Sequence, residues 1–328
     1  MLSKHRGVAL IMVLLAMALV VMLASGMLRQ QNLRVFKAGH YLAQQQGYSI
    51  ALGAEEFARR ILIQDFEDDQ EEGAMVDSLD EVWAERAAIL PLDNNGVAEI
   101  QIDDLGGRLN LNDLVNASGQ VNSLVRARVE RLLQTLEVSG VTVDALIDWI
   151  DADDQPISAG GAEDGTYLMA EPSYRAANQP FVSVSELRLI EGMTEEAYNR
   201  LRLHVTALPV TGAGVNINTA TLPVLRSLHA EITRADAQAL IARRDEDPFD
   251  DVRDFLALPE LSGMGLTASG LTLQTRFFDV VSRITYDSRK VNMVSRVFRD
   301  AEGKVRTVHR DSGQTNRITR ESYTIPEG

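Results

Sequence analysis

The sequence predicts an α+β protein: a long N-terminal transmembrane helix packed on a small antiparallel sheet, with a large α-helical domain inserted into that sheet. Three observations carry this prediction. Residues 7–28 hold no charged side chain. An apolar stripe at helical spacing continues beyond them to about Ile61. One strand-like segment, residues 97–102, is separated from the next clear strands, all beyond residue 270, by about 165 helix-rich residues.

The apolar run is 22 residues long and would rise about 33 Å as a helix, enough to cross about 30 Å of hydrocarbon. Lys4, His5 and Arg6 precede it and Arg29 closes it. The positive charge on the N-terminal side predicts a cytoplasmic N-terminus and delivery of the rest outside. A cleaved secretory signal would be followed by a small-x-small cut site, whereas this run passes into Met27-Leu28-Arg29-Gln30-Gln31. A plain signal anchor has no need of a particular residue at the start of the run, and here the start is specific.

That start, Arg6-Gly7-Val8-Ala9-Leu10-Ile11, resembles the processing site of type IV pilins and pseudopilins. The resemblance implies that a prepilin peptidase cuts after Gly7, that Val8 becomes the methylated first residue, and that the apolar helix stays with the mature chain. Most subunits of this kind carry Glu at the fifth mature position, and here it is Met12. A carboxylate within a membrane helix is costly unless paired, and in the family it pairs with a neighbour's terminal amine. The K-type minor pseudopilins of type II secretion systems (general secretion pathway protein K) are the exception, with an apolar residue there.

The length of 328 residues allows two or three domains with a sizeable core. The absence of cysteine excludes disulfides, Cys-ligated zinc and a thiol nucleophile. A formal charge of −15 argues against binding the nucleic-acid backbone, which needs clustered Lys and Arg.

In order along the chain, residues 30–64 read as a continued helix with Leu33, Phe36, Leu42, Ile50, Phe57 and Ile61 on one stripe. Within it, Tyr48-Ser49-Ile50-Ala51-Leu52-Gly53-Ala54-Glu55 is similar to the corresponding helix of K-type pseudopilins. Residues 65–73 read as an acidic loop and 79–89 as a further helical piece. Asn94-Asn95-Gly96 is a turn signal before the strand at 97–102. Strands are expected at 271–275, 277–286, 290–299 and 304–309, the last two joined by Asp300-Ala301-Glu302-Gly303. The expected division is a leader at 1–7, a membrane segment at 8–28, a helix extension and first strand at 29–105, a helical insertion at 106–270 and completing strands at 271–328. With the resemblance, the sheet is expected to be pilin-like.

The insertion contains an internal echo. Leu109-Asn110-Leu111-Asn112 is answered by Val215-Asn216-Ile217-Asn218, and Leu146-Ile147-Asp148-Trp149-Ile150-Asp151-Ala152-Asp153 by Leu240-Ile241-Ala242-Arg243-Arg244-Asp245-Glu246-Asp247. Pro180-Phe181 is answered by Pro248-Phe249. In the second copy Pro248 follows Asp247 directly, while in the first 26 residues intervene. That loop is an addition to a module that folds without it.

From Asp144 to Tyr174 there are eight acidic residues (Asp144, Asp148, Asp151, Asp153, Asp154, Glu163, Asp164, Glu171) and no Lys or Arg. Carboxylates drawn together by a closing loop repel unless a cation is present. Hard oxygen donors without His or Cys suit calcium. Asp151-x-Asp153 begins like an EF-hand loop, but Pro156 stands where that loop needs Gly, so the site is of another kind. The alternative is a solvated acidic loop without an ion. Gly161-Ala162-Glu163-Asp164, Tyr167, Tyr174, Asn178-Gln179-Pro180-Phe181 and Ser185-Glu186-Leu187 are similar to the calcium-containing helical domain of K-type pseudopilins. The expected ligands are Asp151, Asp153, Glu163 and Asp164, with Asp148 and Asp154 as further candidates, for one or two calcium ions. Trp149 is expected to anchor the core beneath the loop.

Residues 216–249 resemble a helix-hairpin-helix module of DNA-binding proteins, but the hairpin Leu228-His229-Ala230-Glu231-Ile232 lacks Gly and the arginines Arg226, Arg234, Arg243 and Arg244 are offset by acid. The five histidines are scattered, and no HExxH or phosphate loop is present, so no enzyme is expected. The resemblance implies an inner-membrane protein with a periplasmic soluble part. It would join I- and J-type minor pseudopilins at the tip of the pseudopilus, act with the inner-membrane assembly platform, and support export across the outer membrane. The competing reading is a membrane-anchored helix-hairpin-helix DNA-binding protein of an uptake system. A tethered calcium-dependent hydrolase would require a nucleophile and base that the sequence does not nominate.

Overall fold

The computed structural model describes residues 6–85, 87–93, 96–286, 289–314, 317–320 and 322–324. Residues 1–5 of the expected leader, the Asn94-Asn95 pair of the expected turn and residues 325–328 lie outside them.

Helix α1 (Arg6–Glu72) runs unbroken for 67 residues, about 100 Å at 1.5 Å per residue. The large apolar side chains from Val8 to Leu28 are each more than half exposed. From Gly47 onward the helix lies on a sheet. Ala51, Ala54, Ala58 and Leu62, at intervals of three and four, are buried against Ile100, Phe278, Val280 and Val297. Small residues permit the close approach, since a Cβ at Gly47 would stand 2.6 Å from Val291. Glu55 on the same face accepts from Arg310 at 2.7 and 2.8 Å and from the Thr307 hydroxyl.

The helix continues through residues 65–72, where the sequence reads as a loop. Six carboxylates at the negative end of a helix dipole are locally unfavourable. Tertiary contacts outweigh them: Phe66 packs onto Gly303, where a Cβ would lie 2.2 Å away, and Asp65 pairs with Arg299 at 3.0 Å.

The strands are β1 (Ala87–Leu92), β2 (Gly96–Asp104), β3 (Leu109–Asn110), β4 (Val205–Thr206), β5 (Val215–Asn216), β6 (Leu271–Thr272), β7 (Phe277–Tyr286), β8 (Arg289–Arg299), β9 (Val305–Asp311) and β10 (Ser322–Thr324). Six of them form one sheet in the order β10-β1-β2-β7-β8-β9, antiparallel throughout except for β10 beside β1. Two expectations are corrected. Among the described residues of 79–89 only α2 (Val82–Glu85) is helical, because the apolar run after it pairs with β2, Ala88 opposite Ile100. Leu271 and Thr272 pair with β5 instead of the large sheet, which resumes at Phe277.

Between Asp104 and Phe277 lies a helical head with its own core. It contains α3 (Ser123–Thr135), α4 (Val143–Ile150), α5 (Asp164–Tyr167), α6 (Glu195–Leu201), α7 (Leu222–Ser227), α8 (Arg234–Glu246) and α9 (Val252–Leu256), packed around Leu111, Leu132, Leu146, Leu187, Leu225 and Phe255. The internal echo is structural. Each copy opens on a strand that pairs in parallel with a strand at its own end, β3 with β4 and β5 with β6.

The contacts of β8 place this head. Arg289 at its start donates to Gly39 O at 3.1 Å, and Arg299 at its end reaches Asp65. β8 therefore runs along α1 away from the apolar segment. β7 is antiparallel to β8, and β2 to β7, so Asp104 and Phe277 both lie at the end of the sheet remote from that segment. Asp104 fastens the joint, accepting from Gly106 N at 2.7 Å, Gly107 N at 2.6 Å and the hydroxyls of Thr219 and Thr275.

Candidate metal centre

Helix α4 delivers the loop. Thr142 caps its N-terminus by accepting from Ala145 N, and its apolar face drops Leu146, Ile147 and Ile150 into the head core. Trp149 lies beneath the loop, edge-on to Tyr167 with ring centres 5.3 Å apart, and Tyr167 stacks on Tyr174 at 5.3 Å. This aromatic floor fixes both ends of the loop, as the sequence suggests for Trp149.

Asp151, Asp153 and Glu163 converge, each offering an oxygen within 4.8 Å of the others. Two oxygens bound to one calcium ion at about 2.4 Å stand at most about 5 Å apart. Asp151 is the C-cap of α4 and Glu163 the N-cap of α5, yet Glu163 makes no side-chain capping bond. Glu163 is only 3% exposed, and neither of its oxygens, nor Asp151 Oδ1, has a hydrogen-bond partner. Such orphaned buried oxygens are rare because each costs about 1–3 kcal/mol or more. Burial, then the charges of Asp148, Asp151 and Asp153, pushes Glu163 up to about 7. Burial, then Asp153 and Asp148, pushes Asp151 up to about 6. Both shifts report carboxylates that are buried and crowded by like charge.

The other expected ligands fall outside this trio. Asp164 accepts from Ala176 N at 3.0 Å and pairs with Arg175 at 2.5 Å, strapping the far side of the loop. Asp154 is exposed and accepts from Gln155. Asp148 is fully buried, accepting from Ile157 N at 3.1 Å, and a Cβ at Gly161 would lie 2.1 Å from its Oδ2. It holds the loop's backbone, and burial raises its pKa. Asn178 is not among the expected ligands. Its Nδ2 donates to Asp153 O at 2.9 Å, and its Oδ1 is buried without a partner. It sits at φ +46, a left-handed position that Asn tolerates and that a sequence does not announce.

The donor set is carboxylate and amide oxygen, without His or sulfur, and so fits a hard divalent ion such as calcium. The second copy of the module gives an internal comparison. Its matching residues Asp245 and Asp247 are met by Arg244 at 3.3 Å and Arg243 at 3.5 Å, while among the described residues no arginine or lysine pairs with Asp151 or Asp153.

Within the hairpin-like module Arg244 is buried and donates to Ala220 O at 2.6 Å, and Arg243 pairs with Asp247 at 3.5 Å. These two arginines are engaged within the module, and the DNA-binding alternative is not favoured.

Comparison with known proteins agrees with this architecture. Residues 107–210 and 215–274 match two family models, both described as type II secretion system (T2SS), protein K, and these spans coincide with the two copies in the head. Type II secretion system protein K of Pseudomonas aeruginosa is 37% identical over 94% of this chain and 93% of its own length. That of Klebsiella pneumoniae is 30% identical over 98% of this chain and 97% of its own. The crystal structure of the GspK-GspI-GspJ complex from the type 2 secretion system of enterotoxigenic Escherichia coli contains a chain that superposes with a TM-score of 0.75 at 25% identity, covering 85% of this chain and all of that one. The pilin-like sheet with an inserted helical domain is thus a shared fold.

Proposed function

The chain belongs to the type II secretion system protein K family, the minor pseudopilins of the secretion pseudopilus, and on that premise we propose that it forms the tip of the filament with I- and J-type subunits. The observation that carries this reading is the position of the head. It stands on the end of the sheet remote from the apolar segment, where a bulky domain would block a subunit stacked above but leaves a terminal subunit free. The complex formed by the relative GspK with GspI and GspJ supports the same partners. Co-expression of the full chain with the I- and J-type subunits of its own system should yield a stable ternary complex, and failure to associate contradicts the reading.

Residues 8–28 serve as a single inner-membrane anchor, with the basic N-terminus cytoplasmic and the head in the periplasm. Prepilin peptidase trims after Gly7 to leave Val8 first, and the inner-membrane platform draws on the anchor during assembly. The protein works as a structural part of the exporter and does no catalysis.

Asp151, Asp153 and Glu163, with Asn178 beside them, would hold a calcium ion. The ion would supply the positive charge that, among the described residues, no arginine or lysine brings to Asp151 or Asp153. The unpartnered oxygens of Glu163 and Asp151 support this. Calcium near millimolar outside the cell would occupy even a weak site and stabilise the head by mass action.

A further inference from the structure

Beneath the head, the end of α1 meets a second group of carboxylates. Asp65 of α1, Asp77 of the following segment and Glu81 just ahead of α2 each bring an oxygen within 4.8 Å of the others. Arg299, at the end of β8, lies among them. It donates to Asp65 at 3.0 Å and to both oxygens of Asp77, and stacks against Phe278. Asp77 also accepts the amide of Thr275, the residue where the chain leaves the head, at 2.6 Å. Asp77 N donates to Leu273 O and Asn216 Nδ2 to Asp77 O. Shaft helix, sheet and head are therefore joined at this point.

The charges do not balance. Asp77 takes the guanidinium in two bonds, although burial still pushes its carboxyl up to about 7, and Asp65 and Glu81 are left facing each other. Glu81 accepts from Ser78 N at 2.7 Å and from the Trp83 indole, and it brings an oxygen within 4.8 Å of one of Asp65. Three carboxyl groups drawn together around one guanidinium, away from water, favour retention of a hydrogen on one of them. A metal ion does not fit, because the fixed charge of Arg299 already lies among the oxygens.

We propose that Asp65 and Glu81 share one proton at neutral pH, and that this proton latches the end of the shaft helix to the base of the head. The groups around the pair are Asp68, Asp69 and Glu72 on α1, Asp77 and Asp80 on the connecting segment, and Arg299 on β8. All but Arg299 are acidic and favour retention of the proton. Burial, then the charge of Asp65, pushes Glu81 up to about 9, and burial raises Asp65. In the unfolded chain Glu81 returns to about 4.5. Between those values the folded chain holds the extra proton, so stability falls as pH rises through that window. The latch loosens in alkaline surroundings.

Glu81→Gln donates a hydrogen to Asp65 at every pH. Melting temperatures of the full chain in detergent, measured from pH 5 to pH 9.5, should show the wild type losing ground to Glu81→Gln steadily as pH rises. Asp65→Asn should behave likewise. Parallel curves for the variants and the wild type overturn the proposal. The infrared spectrum of the wild type reads the proton without any variant. At pH 8, above the values of about 7 for Asp77 and Glu163 and about 6 for Asp151, a carboxylic-acid carbonyl band should persist and should vanish by about pH 10. A spectrum containing only carboxylate at pH 8 overturns the proposal as well.

Discussion

The side chain of Asn112 brackets the backbone of Phe181, donating to its carbonyl at 3.0 Å and accepting from its amide at 2.8 Å. Asn218 does the same to Phe249, at 2.8 and 3.0 Å. Both asparagines are almost fully buried, and each ties the opening of its module to the Pro-Phe pair that closes the helical hairpin. Either Asn→Ala change strands buried backbone groups, and should cost about 2–4 kcal/mol. Chemical denaturation of each variant checks this, with Asn112→Ala the more damaging because Asn112 also donates to Leu208 O at 2.8 Å.

Glu163→Gln and Asp164→Asn separate ligand from strap. Calcium at a hundredfold excess over its dissociation constant should stabilise the wild-type head by about 2.7 kcal/mol. Glu163→Gln should lose most of that gain, and its calcium-free form should melt no lower than the wild type, because a crowded charge has gone. Asp164→Asn should keep the gain. Differential scanning calorimetry with calcium and with chelator distinguishes the two.

Protons compete with calcium for the same oxygens. Glu163 and Asp151 titrate at about 7 and about 6 in the ion-free fold, so at pH 5.5 both are largely protonated and at pH 7.5 largely ionised. Calcium affinity, measured by isothermal titration, should fall about tenfold or more from pH 7.5 to 5.5, with proton release on binding near pH 6.5. The ion-free fold has the opposite trend. Both pKa values are raised on folding, so stability from these groups is greatest in acid and declines as pH rises towards about 7.

Arg299→Met removes the only guanidinium that bonds to Asp65 and Asp77 among the described residues and leaves Asp77 buried and unpaired. Breaking a buried pair from one side costs about 3–5 kcal/mol. Urea denaturation should show a loss of that order, reduced by the added change Asp77→Asn, which removes the stranded charge.

Much of this was legible because it repeats or alternates. The apolar run, the stripe along α1, the period-two strands from Phe277 to Arg299 and the Asn-x-Asn echoes all leave patterns set by local geometry. The acid-rich loop announced Asp151, Asp153 and Glu163 through composition. It did not announce that Asp164 turns to Arg175, since the direction of α5 decides this. β1 was hidden because Ala87 to Leu90 is apolar on both faces and short, and only pairing with β2 makes it a strand. The last turns of α1 were hidden for a similar reason, because Arg299 and Gly303, more than 200 residues away, hold them helical. Asn178 and the Asp65–Glu81 pair depend on contacts that no local signal encodes.

A head on the remote end of the sheet should make this subunit terminal. Gold labelling of a tag in an exposed head loop, on pseudopili assembled from a complete set of subunits, should place one label at one end of each filament. Labels spaced along the shaft would contradict it.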